Sequence, residues 1–133
     1  MRRALRSLAF VVAAIYGCGN ADGPVSGQLA VRLATTRSGD RAILLRVVGP
    51  QQGVTAPSGS TYRVVSDTSA AGDTTWIAVV APQGSALISG ELARLTVPDP
   101  RRVVNYVVSL TDVALYNYTV GDTAGITLSV VKP

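Results

Sequence analysis

The segments QLAVRLA (residues 28–34) and RAILLRVV (residues 41–48) decide the fold of this chain. In the first, Leu29, Val31 and Leu33 alternate with small or charged residues, which predicts a strand buried on one face. In the second, Ile43, Leu45 and Val47 share one face, and Leu44, Arg46 and Val48 share the other. Because both faces of the second segment are largely apolar, it is expected to be a central strand of its sheet.

The same period of two residues continues to the end of the chain. Further strands are predicted over residues 61–66, 74–81, 85–97, 103–110, 113–120 and 126–131, the third of these being bent or divided at Gly90. Residues 51–60 are predicted to be a loop. About eight strands, with turn residues roughly every 8–12 positions, predict an all-β domain over residues 28–133, an antiparallel β-sandwich.

The segment 74–81 is the most hydrophobic of the predicted strands. Trp76, Ala78 and Val80 share one face, and Ile77 and Val79 share the other. We expect Trp76 to lie in the core because its whole strand is apolar.

Residues 1–17 form a different kind of segment. Arg2, Arg3 and Arg6 make a basic start without acidic residues, and an apolar run of nine follows over residues 8–16. That run is far shorter than the roughly 20 residues needed for a permanent transmembrane helix. The combination is typical of a secretory signal peptide, a cleavable N-terminal helix.

The end of this segment, Ile15-Tyr16-Gly17-Cys18, resembles the lipobox of bacterial lipoproteins. Tyr16 departs from the small residue usual at its position. The resemblance implies cleavage after Gly17 and attachment of diacylglycerol to Cys18, the only cysteine. Each buried CH₂ contributes about 0.8 kcal/mol, so two or three acyl chains would hold the protein durably on a membrane. The alternative is that Cys18 is an ordinary small residue beside an ordinary signal-peptidase site.

Residues 18–27 are predicted to be the lipidated cysteine and a short polar tether. Gly19, rather than an aspartate, follows Cys18, and the resemblance then implies an outer membrane where the cell has one. The predicted location is the bacterial cell envelope, and the predicted membrane partner is lipid held through acylated Cys18.

The net charge of +4 belongs mostly to the leader. Without Arg2, Arg3 and Arg6 the chain carries nine basic and eight acidic side chains, a net of +1. Nucleic-acid binding requires a clustered basic face, and Arg101-Arg102 is the only basic pair of the mature chain. No nucleic-acid partner is expected.

Catalytic chemistry has few residues available to it. The chain contains no histidine, and Glu91 is its only glutamate. The absence of histidine removes the usual general base, the common hydrolytic triads and most transition-metal sites. No phosphate-binding loop, dinucleotide fingerprint, zinc spacing or nucleophile elbow is present. We therefore expect no enzyme activity and no cofactor; a hydrolase that depends on aspartates alone is a remote alternative.

Several aspartates fall in predicted turns: Asp40, Asp67, Asp73, Asp99 and Asp122. Two or three loop carboxylates can bind a hard cation such as calcium, but aspartate also hydrogen-bonds its own backbone in turns. The sequence lacks Asp-x-Asp-x-Asp spacing, which favours turn chemistry, and no metal site is expected. Asp112 is predicted to lie at a bulge or to face solvent.

Tyr116 and Tyr118 form an aromatic concentration with Tyr106. Being two apart, Tyr116 and Tyr118 would project from one face of a strand. An exposed face would make them a binding platform for sugar rings or a protein. The alternative is that they cover the core or a cross-strand neighbour.

The stretch ISGELARLTVP (residues 88–98) is a strand interrupted by Gly90 that leads into an alternating strand. It resembles cohesin-like and other immunoglobulin-like modules of bacterial envelope proteins. The resemblance implies an adhesive or scaffolding role towards an envelope protein or a glycan. The alternative is a structural accessory subunit that pairs through a free edge strand.

Overall fold

The structure, a computed structural model, describes residues 25–115 and 120–133. These residues form two four-stranded antiparallel sheets packed as a sandwich, so the predicted all-β sandwich is confirmed. The strands are β1 (Gly27–Thr35), β2 (Asp40–Val48), β3 (Gly53–Thr55), β4 (Arg63–Thr68), β5 (Thr74–Val80), β6 (Gly90–Val97), β7 (Val107–Leu115) and β8 (Ile126–Val131). In the described part of the chain, no helix has the length and apolar character needed to cross a membrane.

The two sheets have matching arrangements. One has the strand order β3-β6-β1-β8, and the other has the order β4-β5-β2-β7. The predicted central position of β2 is confirmed, because β5 and β7 pair with it on either side. The edge strands are β3 and β8 in the first sheet and β4 and β7 in the second.

The core lies between the sheets and follows the alternation of the sequence. The residues of β1 predicted to be buried are all buried, and on β2 the buried side is the one that carries Ile43, Leu45 and Val47. The buried core includes Leu29, Val31, Leu33, Ile43, Leu45, Val47, Ile77, Val79, Leu92, Leu95 and Val97. Each such side chain contributes about 1.5–3 kcal/mol by leaving water, so this layer holds the sheets together without a disulfide.

One strand replaces the two predicted over residues 103–110 and 113–120. Residues Val103–Asn105 form a 3₁₀ turn, and β7 then continues through the expected break. The pairing of β7 with β2 passes from Leu110 to Asp112 and skips Thr111. This β-bulge reverses the alternation, which is why one strand has the sequence pattern of two. Asp112 was predicted to lie at a bulge or to face solvent; the structure pairs it with Leu44, and the bulged residue is its neighbour Thr111.

Two further differences concern the predicted loop over residues 51–60 and the predicted strand over residues 85–97. Within the loop, β3 pairs with β6 at Gly53 and Thr96, and Val54 packs against the core. A strand of three residues is too short to show a period. Residues 85–89 are not a strand, and β6 begins only at Gly90.

The prediction that Trp76 lies in the core is wrong. Its neighbours Thr75 and Ile77 are fully buried, whereas Trp76 is 40% exposed. Threonine can take an interior position here because its hydroxyl accepts a hydrogen bond from the Gln51 amide and lies 2.9 Å from the Thr68 hydroxyl. With its hydrogen bonds satisfied, Thr75 costs little to bury, and Trp76 faces outward.

Candidate binding face

The outer surfaces of the two sheets differ in chemistry. The first sheet presents polar side chains to solvent, among them Gln28, Arg32, Glu91, Arg94, Thr127 and Ser129. Arg94 pairs with Glu91 at 3.3 Å and donates to the Gln28 amide oxygen at 3.4 Å. This is the ordinary solvated side of a sandwich, polar outward and apolar inward.

The outer surface of the second sheet is mainly apolar. Directly opposite residues of antiparallel strands share a face, so the strand register identifies its members. We define the apolar face as Ala42, Leu44, Val48, Val65, Trp76, Ala78, Val80, Val107 and Ala114. Seven of its members adjoin one another across the four strands: Val65 lies opposite Ala78, and Ala78 lies opposite Leu44. Val48 and Val107 lie opposite each other on the far side of the row that contains Arg46 and Ser109.

Exposure on the apolar face is greatest at its edges. Val107 is 62% exposed, Val65 is 54% exposed, and Val48 beside Val107 is 39% exposed. Scattered exposed apolar residues are normal on protein surfaces, but a contiguous set of this kind marks an interaction site.

A pocket of about 220 Å³ opens near the middle of this face. Its lining includes Ala42, Leu44, Ala78, Ala114, Asp112 and Val120. Three alanines line this pocket together with Leu44, and the bulge at Thr111 lies next to its lining residue Asp112. The Asp112 carboxylate accepts a hydrogen bond from the Val113 amide at 2.9 Å. The pocket therefore suits an apolar group with a polar or cationic neighbour.

A row that contains charged residues crosses the apolar face between Leu44 and Val48. Trp76 has Arg46 opposite it on β2 and Asp67 opposite it on β4. The indole is thus flanked by one positive and one negative side chain. Two more charged residues belong to the same outer surface: Arg63 lies opposite Val80, and Asp112 lies opposite Leu44.

The site residues predicted from the sequence are not placed by this structure. Gly17, Cys18, Tyr116 and Tyr118 lie outside the described residues, so lipidation and the tyrosine platform stay predictions. The described residues on either side of the tyrosine segment, Ala114 and Val120, bridge each other and line the pocket.

The prediction that five aspartates lie in turns is wrong for two of them: Asp40 is the buried first residue of β2 and pairs with Arg37 at 2.9 Å, and Asp67 lies within β4. The other three have turn chemistry. Asp122 accepts from the Ala124 amide at 3.1 Å, and Asp99 accepts from the Arg101 amide at 3.1 Å. Asp73 accepts from the Ser69 hydroxyl at 3.0 Å. Within residues 25–115 and 120–133, no three acidic or sulfur-bearing side chains come together in a way that could hold a metal ion.

Sequence reasoning missed the apolar face although its signal was present. The apolar residues on both sides of β2 were interpreted as the pattern of a central strand, and Trp76 of β5 was assigned to the core, but this sandwich covers only one side of each sheet. The exposed Val65 and Val107, on the edge strands of the same sheet, complete the pattern. Comparison of the chain with protein-family models, with curated proteins and with solved structures found no match.

Proposed function

We propose that this chain is a membrane-anchored lipoprotein of the bacterial cell envelope whose β-sandwich binds a protein partner without catalysis. The observation that supports binding is the apolar face, which lies across four strands while the opposite outer surface is polar. Leaving this much apolar surface in water is unfavourable, and a partner that covers it recovers that free energy.

The chemistry of the apolar face favours a protein over a glycan. Sugar recognition needs aromatic planes together with polar groups that bind hydroxyls. The described face has one aromatic residue, Trp76, among aliphatic side chains, and its pocket is lined mostly by alanine, leucine and valine. Protein interfaces concentrate their binding free energy in apolar and aromatic anchors at such a centre.

The anchor determines where the partner would be found. The lipobox-like Ile15-Tyr16-Gly17-Cys18 supports lipidation at Cys18, and seven residue steps separate Cys18 from Val25. A fully extended chain of that length reaches at most about 25 Å. The partner would therefore be another component of the envelope, close to the membrane surface.

The absence of catalysis is supported by the residues available. The chain contains no histidine. The loop aspartates Asp73, Asp99 and Asp122 accept hydrogen bonds from their own turns. These carboxylates stabilise the loops, and they do not converge on a shared cleft.

A second candidate function is a structural subunit that pairs through an edge strand. The observation that favours it is β4, which is mostly exposed along its length and has β5 on one side only. A strand from another subunit could extend the sheet at this edge. In that arrangement backbone hydrogen bonds, rather than the apolar face, would supply the affinity.

The test is co-purification of the full chain from envelope membranes after mild crosslinking. We expect one stoichiometric protein, and we expect its capture to fall at least tenfold in Val107→Asp, which places a charge on the apolar face. The matched control is Thr127→Asp, which is also an exposed strand position and lies on the outer surface of the other sheet. Capture that survives Val107→Asp, or that falls equally in both variants, would contradict the proposal.

Two further readouts separate the alternatives. A mass spectrum of the mature N-terminus should show an acylated Cys18, and unmodified Cys18 would contradict the anchor. Glycan-array binding that is lost in Tyr116→Ala with Tyr118→Ala would replace the protein partner with a carbohydrate.

A further inference from the structure

β4 is an edge strand that carries charges of both signs on one side. Arg63, Val65 and Asp67 occupy every second position of β4, so their side chains share the outer surface of the second sheet, and all three are exposed. β5 pairs with β4 on one side, and no described strand pairs with it on the other. An edge of this kind leaves a row of backbone N–H and C=O groups available to another chain.

The two charges of β4 have no partner in their own sandwich. Of the ion pairs formed within residues 25–115 and 120–133, none includes Arg63 or Asp67. Their Cα atoms are about 13 Å apart along the extended strand, at about 3.3 Å per residue. Both side chains are therefore available for pairing with a second chain.

The order of these residues makes β4 complementary to a second copy of itself. If two copies pair antiparallel with their Val65 residues opposite each other, Arg63 of each copy lies opposite Asp67 of the other. Opposite charges directly across an antiparallel pair stabilise it, and the symmetry supplies two such pairs. Charges on an edge strand usually discourage pairing, but here they favour this one register.

Other registers lose this charge pairing. A parallel pair in register would set Arg63 beside Arg63 and Asp67 beside Asp67, and like charges repel. An antiparallel pair shifted by one residue would set the outer side of one copy against the core side of the other. A shift by two residues would leave each charge opposite an uncharged residue. The register centred on Val65 satisfies both the charges and the two faces of the sheet.

The other edge strands offer no comparable pattern. β3 and β8 contain no charged residue, and Asp112 is the one charged residue of β7. The open side of β7 is also partly occupied, because Ala114 forms a bridge with Val120. Among the edge strands of the described residues, β4 is therefore the one suited to a second copy of this chain.

We propose that two copies of this chain form a symmetric dimer through β4, with Val65 at the two-fold axis and an Arg63–Asp67 pair on either side of it. The inference rests on the edge pairing given above as the second candidate function, and it names a second copy of the chain as the partner. Residues 63–67 of each copy would oppose each other, which is a small interface, so the dimer is weak and reversible.

The dimer would join the apolar faces of the two copies. The Val65 side chains remain on the outer surface next to each other, and Ala78 of each copy lies beside its own Val65. The two-fold axis is perpendicular to the joined sheet, so both first sheets lie on the opposite side, together with β1 and the tethers that lead into it. The envelope partner of the proposed function can then contact both apolar faces. A crosslink between copies at position 65 would accompany a crosslink to that partner.

The test is disulfide trapping of the purified full chain that carries Val65→Cys. Directly opposite residues of antiparallel strands have Cα atoms about 4.5–5.5 Å apart, which is within the range that a disulfide spans. The matched control is Val107→Cys, an exposed position on β7 at the other edge of the same sheet. Peptide mapping identifies the linked residue, because Cys18 is the only native cysteine and forms a disulfide only where it is not acylated.

We expect a dimer linked through position 65 after mild oxidation, and none linked through position 107. In the Val65→Cys chain, Arg63→Asp sets carboxylates opposite each other and should lower the yield about tenfold, because two cross-strand pairs change from attraction to repulsion. Adding Asp67→Arg to Arg63→Asp exchanges the charges and should restore the yield. Arg32→Asp makes the same change of charge on the outer surface of the first sheet and should have no effect.

The absence of a dimer linked through position 65, or equal linking through position 107, would overturn the inference. A yield that is unchanged in Arg63→Asp, or that is not restored by the exchanged charges, would overturn it as well. In either case the arrangement of Arg63 and Asp67 would not govern association.

Failure of the proposed function would look different. If the dimer forms while capture of the envelope protein survives Val107→Asp, the binding role of the apolar face is wrong and this inference stands. If capture depends on Val107 but no dimer is linked through position 65, the binding role stands and this inference is wrong. Crosslinking of β4 to a different protein in place of a second copy would keep the second candidate function and overturn the dimer.

Discussion

The adjacent leucines of β2 should respond differently to the same substitution, because they point to opposite sides of the sheet. Leu45 is fully buried between the sheets, whereas Leu44 is partly exposed and lines the pocket on the apolar face. Replacing each by alanine removes the same atoms from neighbouring positions of one strand. Differences in strand propensity or composition therefore cancel.

The expected losses of unfolding free energy follow from the two environments. Leu45→Ala leaves a cavity in a packed core, for which losses of about 3–5 kcal/mol are typical. Leu44→Ala leaves no enclosed cavity, and removal of about three half-buried carbon groups at about 0.8 kcal/mol each costs about 1 kcal/mol. The difference of at least about 2 kcal/mol is roughly a 30-fold difference in the unfolding equilibrium.

Urea unfolding followed by far-ultraviolet circular dichroism measures both losses. The midpoints should move by different amounts, and an unchanged slope would show that the extent of unfolding is the same. Partner capture should show the reverse order: Leu44→Ala weakens it, and Leu45→Ala, at a temperature where it stays folded, leaves it near the unsubstituted level. Equal losses of stability, or a larger loss in Leu44→Ala, would refute the assignment of the two faces.

Three other predictions concern the turns and the anchor. Gly49 has a φ of +145°, and an added Cβ would lie 2.4 Å from Cδ1 of Tyr106. Gly49→Ala should therefore lower the melting temperature clearly more than Gly59→Ala, because at Gly59 φ is +74° but no atom lies within 4 Å of an added Cβ. Similar shifts in the two variants would contradict this packing. The pKa of Asp99 is lowered to about 2, so its stabilising effect should be complete above pH 4 and should disappear as the pH falls through about 2. In Asp99→Asn the melting temperature should lose that part of its acid dependence. An unchanged pH profile would argue against the pairing of Asp99 with Arg101. Cys18→Ser should keep its uncleaved leader and should not be acylated. Continued acylation, measured by labelled palmitate, would place the lipid elsewhere.

The sequence was sufficient for features that depend on neighbouring residues. The alternation at Leu29, Val31 and Leu33 identified the buried side of β1, and the two-sided apolar pattern of residues 41–48 identified β2 as central. These patterns are local because strand side chains alternate whatever the partner strand is. The bulge at Thr111 interrupts this alternation, and for that reason β7 was predicted as two strands.

Features that depend on pairing between distant segments were missed. β3 forms because Gly53 pairs with Thr96, which lies forty-three positions further along the chain. A strand of three residues is too short for its sequence to show an alternation. The environment predicted for Trp76 was wrong because hydrophobicity alone does not show which side of an apolar strand is covered by the second sheet. Gln51 and Thr68 form hydrogen bonds with the Thr75 hydroxyl, which allows Thr75 rather than Trp76 to face the core. Neither residue is adjacent to Thr75 in the sequence. The apolar face was missed for the same reason.

The binding role of the apolar face is tested most directly by site-specific photocrosslinking of the full chain in cells. A photoreactive residue is placed at Val65 or Val107 on the apolar face, and at Gln28 or Thr127 on the outer surface of the other sheet. The account predicts the same protein adduct from positions 65 and 107 and none from positions 28 and 127. Adducts that form from positions 28 and 127 but not from positions 65 and 107 would contradict it.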